Sequence, residues 1–275
     1  VPPRTPSRLP GLQNTKGLTA KFATFLIYGG ARVGKTSLAL SAEDPLILAT
    51  ELGDTKGLQS LRDNSIPYIP IENADEFNIV VTELSRNREA ATYEGQTFKT
   101  IITDSYTALG ALWMAAGTEI MFGDADVMLW DKAKGKDPRN VYAYLAEKGR
   151  KETTNLFEVR AHIVMLCREG LVTEGEGKDQ FNYAVPELPG LKLSRELPGW
   201  PDFTFRMRFV NRQRVFVTST EDRAVAGPRL PSSLHLPQYI KPNIALCTRV
   251  MLGDLDALRA LSLSPEAASP QVRRT

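Results

Sequence analysis

Residues 24–40 read TFLIYGGARVGKTSLAL. The apolar run FATFLIY (22–28) ends at a glycine, and KTSLALSA behind the loop has a helix-like pattern. Between them, Gly29-x-x-x-x-Gly34-Lys35-Thr36 matches the phosphate-binding pattern G-x-x-x-x-G-K-[ST]. Each residue type has a chemical reason. Glycine lets the backbone of Gly29, Gly30, Ala31, Arg32, Val33 and Gly34 curl until several N–H groups face one anion. A helix starting near Lys35 adds its positive dipole end. Lys35 reaches the outer phosphates, and Thr36, followed by Ser37, offers its hydroxyl to Mg2+. Arg32 stands where a small residue is more usual and adds positive charge beside the phosphates. The alternative is a glycine turn with no ligand; the strand before it and the helix pattern after it favour the phosphate loop.

Working outward, further strand patterns are PLILAT (45–50), IPYIPI (66–71), FKTIITDS (98–105) and HIVMLC (162–167). Pro67 and Pro70 place the second of these at a sheet edge. Helical patterns lie between. In residues 73–90, Phe77, Val80, Val81 and Leu84 share one helical face, and Asn73 with Glu76 makes a capping pair. ALGALWMAAGTEIMF (108–122) is a second helix, and a third spans about 141–160, weakened by Gly149. Strand and helix in alternation imply an α/β fold with a mainly parallel sheet covered by helices. Beyond Cys167 the pattern changes. Residues 173–202 are rich in Gly and Pro and read as loop, and FTFRMRFVNRQRVFVTST (203–220) reads as a β-hairpin turning near Asn211–Gln213. From Ala224 the signal fades, and 264–275 reads as disordered.

The 275 residues are 42% hydrophobic and 24% charged, which suits a globular chain able to bury a core without disulfides. A net charge of +2 does not mark a nucleic-acid binder, so any basic patch is local. Cys167, Cys247, His162 and His235 are too few and too scattered for a zinc site, and the cysteines fit a reducing compartment. No apolar run reaches membrane-spanning length, so no membrane partner is expected. The start, VPPRTPSRLPGLQNTKG, is basic and proline-rich and is no secretory signal. The expected organisation is a flexible arm (1–20), an ATPase core (21–230) and a partly disordered C-terminal extension (231–275).

A phosphate loop needs an acid at the end of a neighbouring strand to hold magnesium. Asp104, closing TIITD, fits, with capping of the following helix as the other reading. Glu51 ends PLILAT on the carboxyl side of the sheet, where open α/β sheets place ligands. It orients water as a base, or it is a surface residue opening a loop.

FLIYGGARVGKTSLAL, LILATELG and TIITDSYTAL together resemble the RecA core. VPELPGLKLSRELPGWPDFTFRM, with the compact size and short first helix, resembles the RecA-like nucleotide-binding proteins of bacteriophages, some of which are single-strand annealing recombination proteins. The resemblance covers about residues 20–230. It implies a P-loop NTPase using ATP and Mg2+, with Glu51 activating water, Thr36 and Asp104 holding the metal, and a bacterial cytoplasmic location. RecA ends its later core strand in Asn-Gln and the phage relatives often have His; here Cys167 and Arg168 stand there. A guanidinium at Arg168 can fork onto phosphate oxygens, or it is a strand-end surface arginine. The resemblance also implies self-association into a ring or filament. A basic residue would then be supplied to the neighbour's site, for which Arg223 and Arg229 are the candidates. Phage or host replication and recombination proteins are implied partners.

Single-stranded DNA is the implied substrate. Arg206, Arg208, Arg212 and Arg214 cluster on the hairpin and can meet phosphates, or are a solvated face. Phe203, Phe205, Met207 and Phe209 form the opposite, core-facing side. Lys132, Lys134 and Lys136, with Arg139, make a second basic loop, where Trp130 stacks on a base or anchors a helix. Two other classes compete: a nucleotide-controlled assembly factor that binds a protein partner, and a small-molecule kinase. The kinase would need an arginine-rich lid, and residues 170–200 carry only Arg195.

Overall fold

Side chains alternate between the two faces of the first strand, and both faces are buried. Leu26 and Tyr28 pack into one core layer, Phe25 and Ile27 into another, so the strand is covered on both faces. This is a computed structural model, and it describes residues 21–51, 57–123, 137, 139–175, 180–220, 224–230 and 234–263. The arm, Trp130, Lys132, Lys134, Lys136, Arg223 and the tail from 264 lie outside the described residues.

In chain order the strands are β1 (Thr24–Gly29), β2 (Pro45–Ala49), β3 (Tyr68–Pro70), β4 (Ala91–Tyr93), β5 (Gln96–Phe98), β6 (Thr100–Asp104), β7 (His162–Glu174), β8 (Phe181–Pro186), β9 (Phe203–Val210), β10 (Gln213–Val217), β11 (Gly227–Pro228) and β12 (Tyr239–Ile240). The α-helices are α1 (Ala74–Ser85), α2 (Tyr106–Phe122), α3 (Arg139–Phe157), α4 (Leu191–Glu196), α5 (Ile244–Met251) and α6 (Leu255–Leu261). The main sheet runs β12-β10-β9-β1-β7-β6-β2-β3. From β9 to β3 all neighbours are parallel, and β10 and β12 extend it antiparallel. β3 is the edge that its prolines indicated.

One face is covered by α1 through α4, where Phe77, Tyr106, Trp113, Leu145 and Leu193 meet Leu26, Leu46 and Ile101. The other is covered by the turn after the glycine loop and by α5 and α6, through Leu38, Ile244, Cys247 and Leu261. α1 starts at Asn73, whose Oδ1 accepts from the N–H groups of Asp75 and Glu76. Glu76 in turn accepts from the N–H of Glu72, one residue before the cap.

Several expectations change. KTSLALSA forms a 3-10 helix over Thr36–Ser41 and not an α-helix. α3 passes through Gly149 unbroken, and a Cβ there would stand 2.9 Å from Leu193 Cδ2. The glycine is thus a close-packing residue between α3 and α4. The Gly/Pro-rich stretch after Cys167 is not loop throughout: β7 continues to Glu174 and pairs antiparallel with β8. The fading signal after Ala224 hides α5 and α6, capped by Asn243 and Asp254 and packed into the same core as β1. The hairpin turns where expected, at Asn211 and Arg212, with φ of 48° and 65°. Phe209, expected in the core, is 53% exposed near the hairpin tip.

Candidate nucleotide site

Parallel strands bring all their carboxyl ends to one edge of the sheet, and the site is built from four of them. β1 delivers the glycine loop. Gly29 is required by close backbone approach: a Cβ there would stand 2.3 Å from the carbonyl oxygen of Met207 on β9. Gly34 adopts φ of +93°. Gly30 has open space around it and carries no such steric demand. Arg32 adopts the left-handed conformation, φ 59°, and is exposed, while Val33 is buried and anchors the loop to the core.

Lys35 follows. Its Nζ donates to the carbonyls of Gly29 and Gly30 at 2.7 and 2.9 Å, so the ammonium braces the loop that it serves. Burial pushes its pKa below the ordinary lysine value, opposed by the nearby Asp104. Thr36 Oγ1 donates to Asp104 Oδ2 at 2.6 Å, joining the loop to the end of β6. Burial raises the Asp104 pKa, the Thr36 hydrogen bond works against that rise, and Glu51 adds to it. The capping alternative for Asp104 is removed by its neighbour. Ser105 caps α2, its Oγ accepting from Ala108 N–H at 3.2 Å, and Asp104 is left facing the loop.

Glu51 sits just past the end of β2. Thr50 fixes that end by donating its N–H to Asp104 O at 3.0 Å and its hydroxyl to Ser105 O at 2.6 Å. Glu51 Oε1 accepts from Ser105 Oγ at 3.2 Å and from Arg168 Nη2 at 3.1 Å. The Arg168 backbone is itself tied to Thr107 Oγ1 at 2.9 Å. β7 lies between β1 and β6, so Arg168 emerges between the lysine and the acid. Gly30, Ala31, Arg32, Gly34, Lys35, Thr36, Ser37, Glu51, Asp104 and Arg168 all line one cleft of about 710 Å3, within the size of small-ligand sites.

Glu169, Glu187 and Arg214 line the same cleft and were not read as members of it from the sequence. No local signal marks them: each lies beyond the motifs and reaches the cleft through strand pairing. The four hairpin arginines do not form one surface. Arg206 makes a bidentate pair with Glu169, both contacts 2.8 Å. Arg208 lies over the Tyr239 ring at 5.9 Å, Arg214 turns to the glycine loop, and Arg212 stays exposed at the turn. Arg229 donates to the carbonyls of Gly199 and Trp200, tying β11 to the segment before β9.

A hydroxyl and a carboxylate oxygen, together, are the hard donors that Mg2+ accepts, and a glycine loop under an ammonium suits a polyphosphate; the residues present fit both groups. Among the described residues no cluster of three or more His, Cys, Asp or Glu forms a metal cage. Mg2+ shared with phosphate oxygens takes one or two protein ligands, the number that Thr36 and Asp104 would supply.

The parallel sheet, the loop and the acid facing it define an α/β P-loop NTPase. Residues 21–230 match the model of the family described as AAA domain (AAA_24), and the chain belongs to that family. No curated protein matches the sequence. Among solved structures, a KaiC-like protein from the hyperthermophilic archaeon Pyrococcus horikoshii OT3 is similar over 74% of this chain and 80% of that one, with 11% identity and a TM-score of 0.38. Among the described residues no helix is long and apolar enough to cross a membrane.

Proposed function

We propose that the protein binds ATP with Mg2+ and hydrolyses it, using that cycle to handle single-stranded DNA in phage recombination or replication. The observation that carries the nucleotide part is the 2.6 Å contact between Thr36 and Asp104 at the mouth of the glycine loop. It pairs a metal-ligand hydroxyl with a metal-ligand acid across two strands, beside an ammonium already seated on the loop. Bound MgATP supplies the phosphoanhydride to be cleaved and a divalent charge to offset the one that develops. The chain's own residues do the rest. Lys35 and the loop amides hold the phosphates. Thr36 and Asp104 hold the metal. Glu51, braced by Ser105, orients a water and takes its proton. Arg168 starts paired with Glu51, and its guanidinium is placed to exchange that carboxylate for a phosphate oxygen.

The DNA part is supported by the sequence resemblance, by Arg212 at the hairpin tip and by the lysine-bearing stretch of sequence 132–139. Assembly into a ring or filament belongs to the same proposal. Arg223 is its first candidate for supply to a neighbouring site, because Arg229 is already engaged with backbone carbonyls. One observation favours a second reading, a nucleotide-controlled factor that binds a protein partner: of the four hairpin arginines, Arg206 and Arg208 are engaged within the fold and Arg214 faces the glycine loop.

The ATPase rate with and without single-stranded DNA, together with filter binding over a salt series, separates the two. Stimulation, and affinity falling steeply with salt, are expected for the DNA reading. No retention of labelled strands at low salt, with turnover intact, leaves the protein-partner reading.

A further inference from the structure

We propose that Arg214, carried in by the C-terminal hairpin of the same chain, is a phosphate-binding residue of the nucleotide site. This rests on the nucleotide reading above and extends it to a residue that lies far from the glycine loop in the sequence. β9 runs parallel beside β1, with Met207 opposite Gly29, and β10 returns along β9 with Arg214 opposite Phe209. The root of the hairpin and the root of the loop are therefore one hydrogen-bonded unit.

The Arg214 side chain lies directly on the loop. Its Cζ, Nη1 and Nε are 2.9, 3.0 and 3.1 Å from where a Cβ on Gly34 would stand. Gly34 thus leaves room for a guanidinium as well as adopting its positive φ. The Phe209 ring lies 5.8 Å from Cζ, a second support for the same group.

Its charge is uncommitted. Arg168 is paired with Glu51 and Arg206 with Glu169, but among the described residues Arg214 has no carboxylate partner. It nevertheless lines the cleft with Lys35, Thr36 and Arg168. A planar cation held between an aromatic ring and a glycine, one residue from the loop lysine, matches the oxygens of a polyphosphate chain. Because the group is already positioned, little ordering entropy is lost on contact.

The test is calorimetric titration of the full chain with MgATP and with magnesium and inorganic tripolyphosphate, which has no base or sugar. Arg214→Ala is expected to weaken both by the same factor, about ten- to a hundredfold. Arg214→Lys, which keeps the charge and the aliphatic stem, is expected to recover part of that loss. Thermal melting of each variant shows that the fold persists. Unchanged affinities in a folded Arg214→Ala protein overturn the proposal. So does a loss confined to MgATP with tripolyphosphate binding intact, because Arg214 would then read the base. If the wild-type chain binds neither probe, the nucleotide reading fails and takes this one with it; binding by wild type with no effect of Arg214→Ala removes this one alone.

Discussion

Two threonine–aspartate pairs stand at opposite ends of the sheet. At the carboxyl edge Thr36 donates to Asp104 at 2.6 Å; at the amino edge Thr24 donates to Asp202 at 2.7 Å. The chemistry and distance are nearly the same, and the consequences differ. The lower pair is closed on itself. Asp202 Oδ2 also accepts the Thr24 N–H, and Thr24 Oγ1 accepts the Asp202 N–H, both at 2.8 Å. Three hydrogen bonds join the two residues, and the pair staples the start of β1 to the start of β9. The upper pair opens into a cleft with Lys35, Arg168 and Arg214 around it. What makes one a site is the surroundings: parallel strands gather loops and cations at their carboxyl ends.

Four experiments break or sharpen this contrast. The largest effect is expected from Lys35→Ala. It should reduce nucleotide affinity by about a hundredfold or more in calorimetry, while a thermal melt shows the fold retained. Next, Glu51→Gln should leave nucleotide affinity near wild type and slow turnover by roughly 10²- to 10⁴-fold; unchanged turnover would place the base elsewhere. At the other end, Asp202→Ala should destabilise the fold by about 1–3 kcal/mol in denaturant melts, with nucleotide affinity unmoved. A loss of affinity there would show that the two ends are not independent.

The smallest effects are in pH, and the two ends have opposite signs. At the amino edge His162 Nδ1 accepts the Ala23 N–H at 2.9 Å, and burial lowers the histidine pKa from its ordinary 6.5. The unfolded chain then takes up a proton first as pH falls, so stability declines from pH 6.5 down to the folded value. At the carboxyl edge burial raises the Asp104 pKa, so the folded chain takes up its proton first. Stability therefore rises as pH falls from the folded value toward the ordinary 3.8. Melting temperatures across this range should show the His162 decline flattened in His162→Gln and the Asp104 gain absent in Asp104→Asn.

Legibility followed the same division. The glycine loop, Asp104, Glu51, the apolar face of α1 and the central strands were readable, because each is a short pattern with a local physical cause. α5 and α6 were missed although their signals are present: Asn243 before Ile244, Cys247 and Val250, and Asp254 before Leu255, Leu258 and Leu261. They are too short to stand out without the core that they complete. The helix through Gly149 was readable, and the packing against Leu193 that the glycine permits was not. β8 was hidden by the glycines and prolines around it.

By itself the sequence determined the P-loop, the acid that faces it, the alternation of strand and helix, and the hairpin, since these depend on residues within a turn or two of one another. Only the tertiary structure decided how the arginines are used: Arg206 on Glu169, Arg168 on Glu51, Arg214 on the loop beside Lys35. Charge pairing depends on which strands lie side by side. β9 joins β1 from the far end of the chain, so the neighbour of each guanidinium is set by sheet order and not by spacing along the sequence.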